Sequence, residues 1–100
     1  MKTYAIRRIG NWADTAELDV VAARSARIGN EQMADRVRWI RSYVVREHDG
    51  RIGTVCIYQG TDVQAIRDHA RRVGMQADEI VEVEATAIIR EDPAEQAAAA

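Results

Sequence analysis

A single cysteine, Cys56, stands in this chain of 100 residues. One thiol closes no disulfide within the chain and builds no zinc ribbon or finger from one chain's thiolates, and it suits a reducing cytoplasm. The charge has no excess of either sign, with 14 Lys and Arg against 16 Asp and Glu and a net charge of −2. That balance excludes a dedicated nucleic-acid binder, which needs a concentrated basic surface. Lysine is all but missing, since the basic residues are 13 Arg and Lys2, spread along the chain among acids. No apolar run approaches the roughly 20 residues of a membrane helix, so no membrane partner is expected. The opening Met1-Lys2-Thr3-Tyr4-Ala5-Ile6-Arg7-Arg8 turns charged before a signal-peptide core could form. The nucleotide, protease and hydrolase signatures GxGxxG, GxxxxGK[ST], HExxH and GxSxG do not occur.

What is present is a clean succession of periodic segments within a length that fits one domain. Residues 3–9 alternate as a strand and Gly10-Asn11 ends it. A helix follows over 16–28, capped by Thr15 or Asp14 and stopped at Gly29-Asn30, with Leu18, Val21, Ala22, Ser25 and Ile28 as its buried stripe. Residues 37–46 are β-branched and aromatic, His48-Asp49-Gly50 reads as a hairpin turn, and 52–58 return as a strand. Thr61 caps a second helix carrying Val63, Ile66, Ala70 and Val73, and Gly74 ends it. A last strand is expected over 80–89, stopped by Pro93. The order βαββαβ predicts an α+β fold, the ferredoxin-like sandwich: a four-stranded antiparallel sheet with both helices on one face. Residues 1–91 form this single domain, and 92–100 an Ala-rich, flexible tail.

Such a sheet has one bare face. If Val81, Val83, Ala85, Ala87 and Ile89 of the last strand face the helices, with Ile40, Val44, Val55 and Ile57, the bare face shows Tyr4, Ile6, Arg8, Trp39, Arg41, Tyr43, Val45, Thr54, Cys56, Tyr58, Glu82 and Glu84. Aromatics beside converging charges fit a homodimer interface, a ligand cavity, or a cavity enclosed by two copies. Trp39, Arg41, Tyr43, Cys56 and Tyr58 are the candidate ligand-binding residues. His69, at the edge of the second helix stripe, reads either as a histidine bonded to a backbone carbonyl or as a metal ligand or proton carrier. His48 reads as an exposed turn residue. Cys56 reads as a small buried hydrophobe, or as a thiolate if Arg41 lies beside it. The stretch Arg51-Ile52-Gly53-Thr54-Val55-Cys56-Ile57-Tyr58 lacks the Gly-aromatic pattern of RNA-stacking sheets.

Trp39-Ile40-Arg41-Ser42-Tyr43-Val44, Cys56-Ile57-Tyr58, and Ala65-Ile66-Arg67-Asp68-His69-Ala70-Arg71-Arg72-Val73-Gly74 followed by Ala77-Asp78-Glu79-Ile80 carry a resemblance. Over residues 37–83, and more weakly in the first strand, the chain resembles a family of small ferredoxin-like proteins common in actinobacteria and labelled nickel-binding. The resemblance implies a dimer and a surface or interface nickel site, with Tyr43, Cys56, Tyr58 and His69 at the matching positions. Arg41 stands where relatives carry His, and Gln76 where they carry Pro. A fixed cation at 41 repels a divalent ion, so His69 with Glu82 or Glu84 is the remaining nitrogen and oxygen set for Ni2+.

The expected function is therefore a non-enzymatic, cytoplasmic metal- or ligand-binding homodimer. Its interface would bury on the order of 1,600 Å² through the bare face. Two other readings stay open. One is a cofactor-free dimeric α+β barrel enzyme of oxygenase or isomerase type, using Arg41, Tyr43, Tyr58 and His69 as acid/base and orienting groups. The other is an interaction module whose bare face only makes the dimer.

Overall fold

The computed structural model describes residues 1–94; the stretch 95–100, read above as part of a frayed tail, lies outside the described residues. The chain runs β1 (Lys2–Trp12), α1 (Thr15–Gln32), β2 (Val37–Arg46), β3 (Ile52–Gly60), α2 (Val63–Val73) and β4 (Glu79–Glu82). The strands form one antiparallel sheet in the order β2-β3-β1-β4. This is the α+β, ferredoxin-like arrangement the sequence predicts. No helix among the described residues is long and apolar enough to cross a membrane.

Local chemistry accounts for the element ends. Asp14 caps α1 by accepting from the Glu17 amide at 3.0 Å, and Glu17 reaches back to the Ala13 amide at 3.0 Å. The helix runs through Gly29 and Asn30 to Gln32, past the expected stop, because Met33 behind it is fully buried and anchors the last turn. Asp62, rather than Thr61, caps α2 by accepting from the Ala65 amide at 2.8 Å. Gly74 closes α2 in the left-handed conformation, φ 84°, with its amide donating to the Ala70 and Arg71 carbonyls. β1 does not end at Gly10. That residue adopts φ 60° in an irregular stretch of the ladder, after which Trp12 pairs with Ile52.

The last strand is much shorter than its alternation suggests. Glu82 pairs with Tyr4, and the Val83 amide donates to the Thr3 carbonyl at 2.8 Å. In that register β4 reaches the start of β1, and residues 84–89 add no further pairs to the ladder.

The sheet faces are the reverse of the expected ones in its two central strands. Tyr4, Ile6 and Arg8 of β1 lie opposite Tyr58, Cys56 and Thr54 of β3, and all six are buried beneath the helices. Ala5 and Arg7, opposite Ile57 and Val55, occupy the bare face. Val81, paired with Ala5, is 48 % exposed, and its neighbour Ile80, opposite Ile6, packs on the core. The expected assignment leaned on alternation over 80–89, most of which is not strand. Bulk then decides: Tyr4, Ile6 and Tyr58 join Ile28 of α1 and Ile66 of α2 in the main cluster. A one-residue change of phase reverses every side chain of a strand.

In β2 the phase changes within the strand. Trp39 pairs with Tyr58, and Arg41 already pairs with Ile57, so Ile40 is the extra residue of a bulge. Trp39 thus turns to the helix side, as do Ser42 and Val44, whereas Arg41, Tyr43 and Val45 stay on the bare face.

The hairpin is fastened to β1 on that face. Arg7 holds the Glu47 carboxylate with two bonds of 2.6 and 2.8 Å and also donates to the carbonyls of Arg8 and Thr54. The bonds from Arg7, and a further one from the Gly10 amide, hold the Glu47 carboxyl below its ordinary value. Gly53 lies directly beneath. A Cβ there would stand 2.6 Å from the Arg8 carbonyl oxygen and against the Glu47 carboxylate. Gly53→Ala is therefore expected to cost about 1–3 kcal/mol through overpacking against backbone. Urea unfolding checks this, and an unchanged midpoint contradicts it.

Candidate functional site

The bulge leaves β2 overhanging the helix layer. Trp39, Ile40 and Val44 are 37, 43 and 52 % exposed, although Trp39 and Val44 point to the helix side. Between this overhang and α1 lies a cavity of about 320 Å³, within the range of small-molecule sites. Leu18, Ala22 and Ser25 of α1 form one wall, Trp39 to Ser42 of β2 another, and Thr54, Cys56 and Tyr58 of β3 the floor. Arg8 and Trp12 of β1, and Met75 after α2, complete it.

Its polar atoms are mostly joined to one another. The Trp39 indole N–H donates to Ser42 Oγ at 2.8 Å, Ser42 Oγ to Cys56 Sγ at 2.9 Å, and Cys56 Sγ to Thr54 Oγ1 at 3.3 Å. The Tyr58 hydroxyl meets Ser25 Oγ at 3.0 Å, and its ring stacks on Trp39 with centroids 5.8 Å apart. Burial raises the Tyr58 phenol from its ordinary 10.0 to about 12, against the pull of the Ser25 bond and the Arg8 charge.

Of the residues singled out from the sequence, Trp39, Arg41, Cys56 and Tyr58 all line this one cavity. Trp39, Cys56 and Tyr58 do so from the helix side, and Arg41 at the bulge, its guanidinium turned to the bare face beside Asp92. Tyr43 stands apart on the bare face, donating to Asp92 at 2.7 Å. Arg41 lies 3.7 Å from the same Asp92. His69 is buried beneath α1, with Nε2 3.1 Å from the Ser25 carbonyl and its ring 5.4 Å from that of Tyr58. Burial first of all, and then the Arg8 charge, hold His69 below its ordinary 6.5, although the Ser25 bond opposes them. Glu82 pairs with Lys2 at 3.2 Å on the sheet edge, and Glu84 is exposed beyond the end of β4. The structure does not bring His69, Glu82 and Glu84 together. Among the described residues no three of His, Cys, Asp and Glu converge as metal ligands.

Arg8, placed by the sequence on the same sheet face as Tyr4 and Ile6 but not counted among the ligand-binding candidates, also lines the cavity. It is 1 % exposed, and none of its three guanidinium nitrogens finds a hydrogen-bond partner among the described residues. The signal was in the alternation itself: Arg8 shares a face with Tyr4 and Ile6.

A sequence model of the family described as nickel responsive protein SCO4226-like matches residues 4–83. The chain belongs to this family. Comparison with the curated proteins found no match. Among solved structures, the crystal structure of SCO4226 from Streptomyces coelicolor A3(2) is similar, with 19 % identity and a TM-score of 0.69 over 85 % of this chain and 99 % of that one. At that identity the likeness carries the fold of the SCO4226-like family and no residue roles. Nickel takes imidazole and carboxylate ligands, and the described residues of this chain do not assemble them into a site.

The two buried rings contribute to the pH dependence of stability. The unfolded chain gains a proton at His69 near pH 6.5, where the folded chain resists it, so stability is lost as pH falls below that point. The unfolded chain loses the Tyr58 proton near pH 10.0, whereas the folded chain keeps it to about 12, so stability is lost as pH rises through that window. His69→Gln is expected to flatten the acid limb and Tyr58→Phe the alkaline limb of melting temperature against pH. Unchanged limbs would refute the assignment.

Proposed function

We propose that this protein is a non-enzymatic binding protein for a small organic ligand seated in the cavity between α1 and the bulged edge of the sheet. The observation that carries this reading is the cavity itself. It joins a volume of about 320 Å³ to two indoles, a phenol and a row of hydroxyl and thiol groups already held in place. Rigid walls of this kind favour binding, because little side-chain freedom is lost when a ligand enters. Trp39, Arg41, Cys56 and Tyr58 are the contact residues on this reading.

Ala22→Phe fills the cavity from α1. Ligands found by thermal shift on the wild-type protein are expected to lose all binding in this variant, while its own melting temperature holds or rises. Hits that bind Ala22→Phe as well as wild type would place the site elsewhere and end this reading.

The family supports a second reading, participation in a response to nickel. His69 is turned to the Ser25 carbonyl and Glu82 to Lys2, so nickel would need ligands from more than one copy of the chain. We place the second copy on the bare face, where Ala5, Val55, Ile57 and Val81 leave apolar surface at least partly uncovered. Ile57→Glu is expected to yield a monomer in sedimentation and to lose any nickel heat seen with the dimer, whereas His69→Ala keeps both. Loss of nickel binding in His69→Ala with the dimer intact would restore His69 as a ligand, and an unsplit Ile57→Glu dimer would move the interface.

A further inference from the structure

We infer that the cavity's ligand is a small monocarboxylate with an apolar body, its carboxylate held by the buried guanidinium of Arg8. This rests on the cavity being a ligand site and adds the chemical class of what it takes.

The chain pairs both of its half-buried arginines with carboxylates. Arg7 is paired with Glu47 at 2.6 Å, and Arg36 with Asp68 at 2.9 Å. Arg8 is more deeply buried than either and makes neither an ion pair nor a hydrogen bond through its side chain among the described residues. A guanidinium cannot discharge its cost of burial by losing a proton, as a lysine can. An unpaired buried charge is among the most unfavourable features a core can carry. It persists here beside a cavity with room for a counter-ion.

The geometry of the group selects the counter-ion. A guanidinium fork offers parallel N–H donors that match the two oxygens of a carboxylate. The rest of the cavity selects the body. Leu18, Ala22, Ile40, Val44 and Met75 are apolar, and the indole of Trp39 lies flat against Tyr58. Charge limits the ligand to one negative group. Asp19 also lines the cavity without pairing with Arg8, and it would repel a second anion. The three guanidinium nitrogens are closed off from solvent, so a carboxylate reaches them only with a shift of a lining side chain, and Met75, half-buried and unbranched, is the most adaptable of these.

Both tryptophans of the chain line the cavity, so intrinsic fluorescence reports on it directly. The test titrates the full chain with phenylacetate and octanoate, and with the matching amides phenylacetamide and octanamide, by fluorescence and calorimetry. The expected result is binding of at least one acid about tenfold or more tighter than its amide, as charge-assisted bonds imply. That preference is expected to vanish in Arg8→Met, whose ligand-free melting temperature should exceed that of wild type. Phenylacetate binding above octanoate would assign a flat aromatic body, and the reverse an acyl chain. Equal binding of acid and amide overturns the carboxylate while leaving the cavity reading standing. Acid binding that survives in Arg8→Met overturns it as well. So does a failure of all four probes, and so does a lower melting temperature in Arg8→Met, which would make Arg8 a structural residue.

Discussion

The Tyr58 side chain lies where the sheet, α1 and α2 meet, and its burial with one hydroxyl partner constrains everything around it. The hydroxyl is satisfied by Ser25 of α1, one ring face by Trp39 of β2, and the ring edge region by His69 of α2. Ser25 in turn gives its carbonyl to His69. A buried phenol without a partner would cost more than the bond returns, so α1 cannot slide along the sheet without losing this contact. The height of α1 above β3 is thereby set, and with it the depth of the cavity beside it.

The bulge at Ile40 completes what Tyr58 begins. Without the extra residue, Trp39 and Arg41 would stay on one face of β2, as strict alternation requires. With it, Trp39 turns in to stack on Tyr58, while Arg41 continues the bare-face row with Tyr43 and Val45. An edge strand tolerates such an insertion because only one neighbour must adjust. The same irregularity lifts Ile40 and Val44 clear of α1, leaving apolar surface over a polar floor.

Arg8 fits this picture as a local conflict held within a well-satisfied surround. Around it, Ser42, Cys56 and Thr54 are joined in a chain of hydrogen bonds, and Arg7 next in sequence has a bidentate partner on the opposite face. Sequences in which every local choice agrees with the fold break that rule mainly at functional positions. Membership of the SCO4226-like family supplies the fold and a link to nickel by name; the proposed organic ligand rests on this chain's own cavity.

The element order, the hairpin at Asp49-Gly50, the Gly74 stop and a buried stripe on each helix could all be read from the sequence, because each depends on chemistry within a few residues. Four cavity residues, Trp39, Arg41, Cys56 and Tyr58, were also legible as candidates, since large aromatics beside polar groups are conspicuous on a strand. Which sheet face is covered was not legible. Both faces of β3 carry apolar residues, Val55 and Ile57 against Cys56 and Tyr58, and a period of two does not say which set lies inside. The length of β4 depended on where β1 starts, and the side of Trp39 on one inserted residue in β2. For His69 the sequence offers both a structural and a metal reading, and only the packing of α1 shows that its ring nitrogen lies against the Ser25 carbonyl. The sequence by itself determined the elements and their order, through local propensity and capping. Only the tertiary structure decided which faces meet and where a charge is left without a partner, because both depend on contacts between residues far apart in the chain.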